Sequence, residues 1–227
     1  MKTSTLFISL IALSFAIVGC GKSGGATAVE DGTSKPSQEA SESAVIPDGM
    51  NLATARDKSF TIELPEDWLV CDAEDDNYKT KIEELKTAKA AVVLNAESIA
   101  AASAANFGAV DISDSTMEDN FAANVNANTQ SIPAGKFSDD QIKQGAEAAT
   151  EALFKDKGEP VEIVKIGGHS AGRYAGVMDM GAVKSYIIGY SVPVGEKIHT
   201  FTFACGSEEA DKYKSVFDKM AKSIKIN

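Results

Sequence analysis

The sequence predicts an α+β domain in which an antiparallel β-sheet is covered by helices. Short segments alternate apolar and polar residues, tight turns separate several of them, and two amphipathic segments carry helix-start signals. Antiparallel strands with interspersed helices are typical of this class. The composition agrees, because 44% of the 227 residues are hydrophobic and 24% are charged, as in ordinary globular domains.

The first residues are interpreted as an export signal rather than as part of the fold. Lys2 precedes an apolar run from Leu6 to Val18, which is short for a membrane-spanning helix. The run ends in Ile17-Val18-Gly19-Cys20, and this ending resembles the bacterial lipobox. The resemblance implies a signal peptide at residues 1–19, cleavage before Cys20, and acyl chains on that cysteine that anchor the protein stably to a membrane. An ordinary secretory signal with a chance cysteine is the alternative.

A flexible linker is predicted to join the lipidated cysteine to the domain. Residues 20–55 are rich in Gly, Ser, Ala, Thr and Glu and lack apolar periodicity, so they bury too little surface to order themselves. The domain is then expected at residues 56–227. Gly21 follows the cysteine where Asp would retain some lipoproteins in the inner membrane, which favours the outer membrane and a periplasm-facing domain.

The first half of the domain predicts a strand, a helical region and a second strand. Residues 59–64 alternate apolar and polar side chains and end at a Pro turn. Apolar residues at helical spacing begin at Tyr78, and an Ala-rich stretch extends this helix to Ala105, where Gly108 can stop it. A short strand is predicted at 109–112.

An asparagine-lined strand is predicted next. Residues 120–130 alternate with period two, which places Asn124, Asn126 and Asn128 on one face. Three amides on one face can hydrogen-bond a sugar or a peptide, provided that no helix covers them. The alternative is the exposed face of an edge strand.

The second half predicts two helices and four strands. Ser138 begins a helix, with Gln141 completing a capping box, and Ser207 is expected to cap the last helix. The strand segments are residues 161–166, 173–180, 183–192 and 198–205, of which the last two form a hairpin.

These segments, in their order, resemble a known family. The sequence runs through SFTIELPEDW, VEIVKIGGHSAGRYAG, SYIIGYSVPVGEKIHTFTFAC and YKSVFDKMAKSIKI. This order is similar to the PsbP-like α/β/α sandwich in its DcrB/LpqN-type bacterial branch. The resemblance implies a non-catalytic binding or assembly module and transfers no catalytic residue. It is weakest over residues 71–118, which are longer and richer in Ala than expected.

A serine hydrolase is the less favoured alternative. Gly168-His169-Ser170-Ala171-Gly172 matches the G-x-S-x-G pattern, and Asp179 and His199 follow in the order of a triad. The nucleophile elbow requires a helix directly after the serine, whereas the following residues predict a strand. We therefore expect a Gly-rich turn here, and we expect His199 to be packed beside Phe201 and Phe203 rather than to act as a ligand.

The two cysteines of the domain leave two interpretations open. Cys71 and Cys205 form a disulfide if they come within bonding range in an oxidising compartment, or they remain two buried free thiols.

The charge pattern excludes several functions. The net charge is −11, which disfavours nucleic-acid binding because phosphate contacts need clustered Lys and Arg. Only two histidines occur, and the acidic runs at 72–76 and 111–119 lack the spacing of a calcium loop, so no metal and no cofactor are predicted. The sequence therefore predicts a membrane-anchored envelope lipoprotein with a protein partner, and as the alternative a carrier of a small or lipidic ligand.

Overall fold

The computed structural model describes residues 49–86, 90–102, 106–113, 121–132, 135–154, 158–179 and 184–227. Cys20, the predicted signal peptide and the linker up to residue 48 lie outside these ranges. Within them the strands are β1 (Met50–Thr54), β2 (Phe60–Pro65), β3 (Trp68–Val70), β4 (Phe107–Asp111), β5 (Asn124–Ser131), β6 (Glu162–Ile166), β7 (His169–Asp179), β8 (Lys184–Val194), β9 (Lys197–Gly206) and β10 (Lys225–Ile226). The helices are α1 (Asp76–Leu85), α2 (Ala90–Ala102), α3 (Asp139–Phe154) and α4 (Ala210–Ser223).

A seven-stranded antiparallel sheet forms the centre of the fold, in the order β3-β4-β5-β9-β8-β7-β6. The long β8–β9 hairpin turns at Gly195 and Glu196. Gly195 has a φ of +61°, a conformation that glycine adopts without steric cost. The predicted hairpin is present, and its two strands extend closer to the turn than the sequence indicated.

One face of this sheet carries the main apolar core. It is covered by α4 and by a small antiparallel sheet of order β1-β2-β10. Phe60 of the small sheet contacts Phe201 edge-to-face, with ring centroids 4.9 Å apart. The ring centroid of Phe217 of α4 lies 5.4 Å from that of Phe203. All four rings are fully buried. Large aromatic areas buried in this way supply much of the hydrophobic stabilisation of a domain.

The opposite face is covered by helices in two separate places. α1 and α2 pack over the β3–β4 end and form an apolar cluster with Leu69 and Val110. α3 packs over β7 on the other side. There a Cβ on Gly172 would lie 2.8 Å from Cβ of Ala146, so the glycine allows the helix to approach the strand closely. The predicted α+β class, with an antiparallel sheet covered by helices, is therefore confirmed.

The start of the domain differs from the prediction. Residues 50–54, which we assigned to the flexible linker, form strand β1 and pair with Thr61 to Pro65 of β2. Ala53 and Ala55 are buried, whereas Leu52 is 48% exposed. The strand is therefore held by backbone hydrogen bonds at a sheet edge, and its side chains give little hydrophobic signal. Residues 50–54 therefore belong to the folded domain and not to the linker.

Three local predictions are corrected as well. Gly108 lies inside β4 and does not end a helix, and the helical region that we predicted as continuous consists of α1 and α2. Ser207 does not cap α4, because it begins a short 3-10 turn without a side-chain cap.

The capping box of Ser138 and Gln141 is present: each backbone N–H donates to the other residue's side chain, at 3.0 and 3.3 Å.

The two domain cysteines are free thiols, and both are buried. Cys71 belongs to the cluster under α1 and α2, whereas Cys205 lies in the main core on the other face of the sheet. A disulfide between them is absent, and the second of our two interpretations describes the structure. Burial raises the pKa of each thiol to about 12.

Candidate functional site

The predicted asparagine face exists on β5 and points away from the main core. Val125 and Ala127 are buried in that core. Because side chains alternate along a strand, Asn124, Asn126 and Asn128 lie on the opposite face, which also carries the helices. β5 is flanked by β4 and β9, so it is a central strand of the sheet. The alternative interpretation, an exposed edge strand, does not describe it.

Hydroxyl side chains of the neighbouring strands continue this polar surface. The register pairs Asn126 with Thr202 and Asn128 with Thr200 on β9. Ser191 of β8 pairs with Thr200 and therefore lies on the same face. We call this surface the amide trough, and it comprises Asn124, Asn126, Asn128, Gln130, Ser191, Thr200 and Thr202.

The amide trough lies between the two helix-covered parts of the sheet. α2 packs on β4 at one side of it, and α3 packs on β7 at the other. The ring of Tyr174 reaches from β7 over Gly189 and forms the α3 side of the trough. The β4 position opposite Asn126 is Gly108, which has no side chain and is itself buried. Most of its side chains are half-buried.

Two amide atoms at the floor of the trough have unused hydrogen-bonding capacity. Asn124 is 2% exposed, and its Nδ2 donates to the carbonyl of Ala122 at 3.0 Å. Its Oδ1 is buried without a partner, and so is Nδ2 of Asn126. Such buried unpaired groups are rare in proteins and cost about 1–3 kcal/mol each. One unused acceptor and one unused donor therefore lie two residues apart on one strand face.

The candidate hydrolase residues are not brought together. Ser170 and Asp179 are nine residues apart on β7, which corresponds to about 30 Å along an extended strand. His199 faces the main core, where its ring contacts Phe60, whereas Ser170 lies on the same sheet face as Gly172, which α3 covers. The Ser170 hydroxyl instead accepts a hydrogen bond from Nζ of Lys165 at 2.8 Å. No nucleophile elbow exists here, since Ser170 belongs to a continuous strand.

His199 is a core residue, as the sequence indicated. It is 2% exposed, it stacks on Phe201 with ring centroids 6.4 Å apart, and its Nδ1 lies 2.9 Å from Oγ1 of Thr129. Burial lowers the pKa of His199, although the charge of Asp57 partly opposes this effect. The imidazole is therefore neutral at neutral pH and is placed to stabilise the core rather than to accept a substrate proton.

The sequence did not indicate a buried polar pair at the end of β4. The Tyr213 hydroxyl donates to Oδ2 of Asp111 at 2.6 Å, and the backbone N–H of Ser113 donates to Oδ1 at 2.7 Å. Asp111 is 5% exposed. Burial and the carboxylate raise the pKa of Tyr213. The pair links α4 to the sheet, so we assign it a structural role.

A second charged cluster lies at the β6–β7 end of the core. The Arg173 guanidinium lies 3.6 Å from Glu159 and 3.7 Å from Glu162, and the Tyr186 hydroxyl donates to Glu159 at 2.8 Å. Lys214 also lies 3.9 Å from Glu159, so two cations and two carboxylates balance one another in this cluster, and we assign it a structural role. A sequence signal for it was the single arginine between Gly172 and Tyr174 in β7.

The first acidic run also has local structural roles. Asp75 caps α1 by accepting from the N–H of Tyr78, and Asp72 pairs with Arg56. Across the residues that the structure describes, no group of three or more metal-ligating side chains occurs. In the same ranges, no helix combines the length and apolar character of a membrane span.

The trough hydroxyls were missed by sequence analysis, although their signal was present. In His199-Thr-Phe-Thr-Phe-Ala-Cys205 the threonines alternate with buried phenylalanines. What the sequence could not show is the register that places Thr200 and Thr202 beside the asparagines of β5. That register joins two segments about 75 residues apart.

Two solved structures are similar to this chain. The crystal structure of LpqN, which is involved in cell envelope biogenesis of Mycobacterium tuberculosis, aligns with a TM-score of 0.50 at 12% identity, over 78% of this chain and 90% of LpqN. The solution structure of cyanobacterial PsbP (CyanoP) from Synechocystis sp. PCC 6803 aligns with a TM-score of 0.46 at 13% identity, over 83% of this chain and 98% of CyanoP. Neither the protein-family models nor the curated proteins gave a match. With the sheet order and helix placement described above, the match to LpqN shows the LpqN-type fold that the sequence segments predict.

Proposed function

We propose that the protein is a lipid-anchored, non-catalytic binding module of the bacterial cell envelope, and that the amide trough is its binding surface. The observation that carries this proposal is the chemistry of the trough, whose strand residues are amides and hydroxyls. These groups donate and accept hydrogen bonds but hold no charge and transfer no proton at neutral pH. They suit recognition better than general acid–base catalysis, which needs a group that titrates near the working pH.

The envelope location is supported from two directions. The lipobox-like ending at Cys20 implies a lipid anchor, and the structurally similar LpqN is involved in cell envelope biogenesis. An acidic chain with a net charge of −11 is repelled by anionic lipid surfaces, so the acyl chains must supply the attachment. We therefore propose a periplasm-facing domain, on the outer rather than the inner membrane.

Replacing the cysteine tests the anchor. Cys20→Ala removes the acylation site, so the protein is expected to leave the detergent-soluble membrane fraction or to accumulate with its signal uncleaved. A matched Cys71→Ala variant should partition like the wild type, because that thiol is buried inside the domain. A Cys20→Ala protein that is still processed and still bound to membranes would contradict the anchor.

Site-specific photo-crosslinking in living bacteria tests the binding module. A photoreactive phenylalanine at Gln130, on the half-exposed rim of the trough, should capture a partner. The same residue at Lys219, exposed on α4, should not. The adduct should disappear when Asn126 and Asn128 are both changed to Ala. An adduct that survives this change, or equal adducts from both positions, would exclude the trough as the binding surface.

A carrier of a small ligand is the second candidate, and the trough restricts its chemistry. The apolar sides of α1, α2 and α3 are packed against the sheet by buried side chains, among them Ile82, Val110, Ala146 and Tyr174. An acyl chain between helices and sheet would have to displace this packing. A polar ligand in the trough displaces none of it, so a carrier function favours a polar cargo over a lipidic one.

A further inference from the structure

We propose that the amide trough binds a neutral saccharide, whose hydroxyl groups satisfy the unpaired acceptor of Asn124 and the unpaired donor of Asn126. This inference rests on the proposed function, since it names the ligand class of the same surface. It is carried by the two buried unpaired amide atoms and by the uncharged residues around them.

The trough-facing positions of the described strands are uncharged, which favours a neutral ligand. In the described parts of β4, β5, β8 and β9, the trough-facing positions carry no Asp, Glu, Lys or Arg, although a quarter of the chain is charged. An anionic ligand would lose its hydration without gaining a cation, and a cationic ligand would gain no carboxylate. Burying an uncompensated charge is costly, so the trough disfavours both.

The unpaired atoms select a ligand that both donates and accepts. Asn124 offers an acceptor and Asn126 offers a donor, two residues apart on the same strand face. A saccharide hydroxyl is both a donor and an acceptor, so neighbouring hydroxyls of one sugar can satisfy both amides. Gly108 leaves the β4 side of Asn126 without a side chain. Gly108 is itself buried, so a ligand approaches from the solvent side of the half-exposed Asn126 and reaches the two buried atoms when that side chain rotates.

The position of the trough favours a saccharide over a peptide. Peptide backbones are recognised at a sheet edge, where a new strand continues the hydrogen-bonding ladder. The trough lies on a sheet face, and both of its long strands are paired on each side within the sheet. A peptide crossing the face would present different side chains to a row of nearly identical amides and hydroxyls. A sugar presents hydroxyls around its whole ring.

Nuclear magnetic resonance of the isotopically labelled full chain tests the proposal. The protein should be held in a detergent without a sugar headgroup, because a maltoside would compete for the site. Maltotriose and N,N′-diacetylchitobiose serve as neutral probes. At least one of them should shift the side-chain amide signals of Asn126 and Asn128, with a Kd on the order of 1 mM.

Three variants make the result specific. Asn126→Ala/Asn128→Ala should weaken binding about tenfold or more, a loss of about 1.4 kcal/mol. Thr200→Ala/Thr202→Ala removes hydroxyls from the neighbouring strand and gives a second trough variant in case the first folds poorly. Asn51→Ala changes an exposed asparagine of β1, in the small sheet, and should bind like the wild type.

The possible outcomes separate this inference from the proposed function. The inference is overturned if neither sugar binds, if a trough variant that folds keeps full affinity, or if a capped neutral peptide shifts the same amides instead. If the sugars fail while photo-crosslinking at Gln130 still captures a protein, the saccharide is wrong and the binding module stands. If both experiments are negative, both proposals fail.

Discussion

The aromatic ring of Tyr174 lies directly over Gly189 on the neighbouring strand, where an added Cβ would come 2.1 Å from ring atom Cζ. The Tyr174 hydroxyl is hydrogen-bonded to Ser191, and burial raises the pKa of Tyr174 to about 12. This contact fixes the ring between α3 and the amide trough. Gly189 is therefore required by packing, since any side chain would push the ring out of place.

Gly189→Ala should destabilise the domain by about 2 kcal/mol, which is within the range measured when a larger side chain is introduced into a packed core. The added methyl group can only be accommodated if the Tyr174 ring moves. Urea unfolding followed by circular dichroism measures the change. In a Tyr174→Leu background the same substitution should cost much less, because the clashing atoms are gone. An equal loss of unfolding free energy in both backgrounds would show that Tyr174 does not contact Gly189.

Two buried tyrosines should respond differently to loss of the hydroxyl. Tyr213→Phe removes the donor to Asp111 and should destabilise by about 2 kcal/mol, because the buried carboxylate loses a partner. The Tyr78 hydroxyl is buried without a partner. Tyr78→Phe should therefore leave the free energy of unfolding unchanged or raise it. Denaturant titrations of the two variants measure both changes in the free energy of unfolding. A clear loss of stability in Tyr78→Phe would show that the Tyr78 hydroxyl has a hydrogen-bond partner.

His199 should make the domain less stable in mild acid. Burial holds the pKa of the folded state below the ordinary value of 6.5, Asp57 opposes this shift, and Lys197 and His169 add to it. The unfolded chain then binds the extra proton first, so stability is complete above about pH 7 and falls as the pH drops through the folded pKa.

Thermal melts between about pH 7 and pH 5.5 test this assignment, since most carboxylates titrate lower. His199→Gln keeps a hydrogen-bonding group near Thr129 but does not titrate, so its stability should vary less over this interval. Burial is the largest cause of the His199 shift and His169 the smallest named, so His169→Gln should keep most of the pH dependence of the wild type. Identical pH profiles for wild type and His199→Gln would exclude His199 as the cause.

The domain thiols should be unreactive in the native state and free after unfolding. Cys71 and Cys205 are buried, and the thiolate is the reactive form. Without reductant, a thiol reagent should label neither cysteine at neutral pH and both in guanidinium chloride. A denatured protein that shows no free thiol would mean that the cysteines are oxidised to a disulfide.

Sequence analysis identified the elements whose side chains alternate strongly or carry start signals. The capping box of Ser138 and Gln141 located α3, and the period-two pattern located β5 together with its amide face. These are local properties, because a cap joins residues three positions apart and a strand face joins residues two apart.

Other features depend on contacts between distant segments. β1 was missed because its pairing with β2 is made by the backbone, while Leu52 faces solvent. Ser207 was taken as a cap because its residue type fits, but the chain first makes a 3-10 turn. The amide trough needs the register of β5 against β9, which no local pattern encodes.

Binding through the amide trough is the central claim, and native mass spectrometry of the full chain tests it most directly. The protein should be released gently from bacterial envelopes, again in a detergent without a sugar headgroup. We predict a bound mass beyond the lipidated protein in the wild type and in Asn51→Ala, and its loss in Asn126→Ala/Asn128→Ala. The same bare mass in all three proteins, or an adduct that the double variant retains, would contradict the claim.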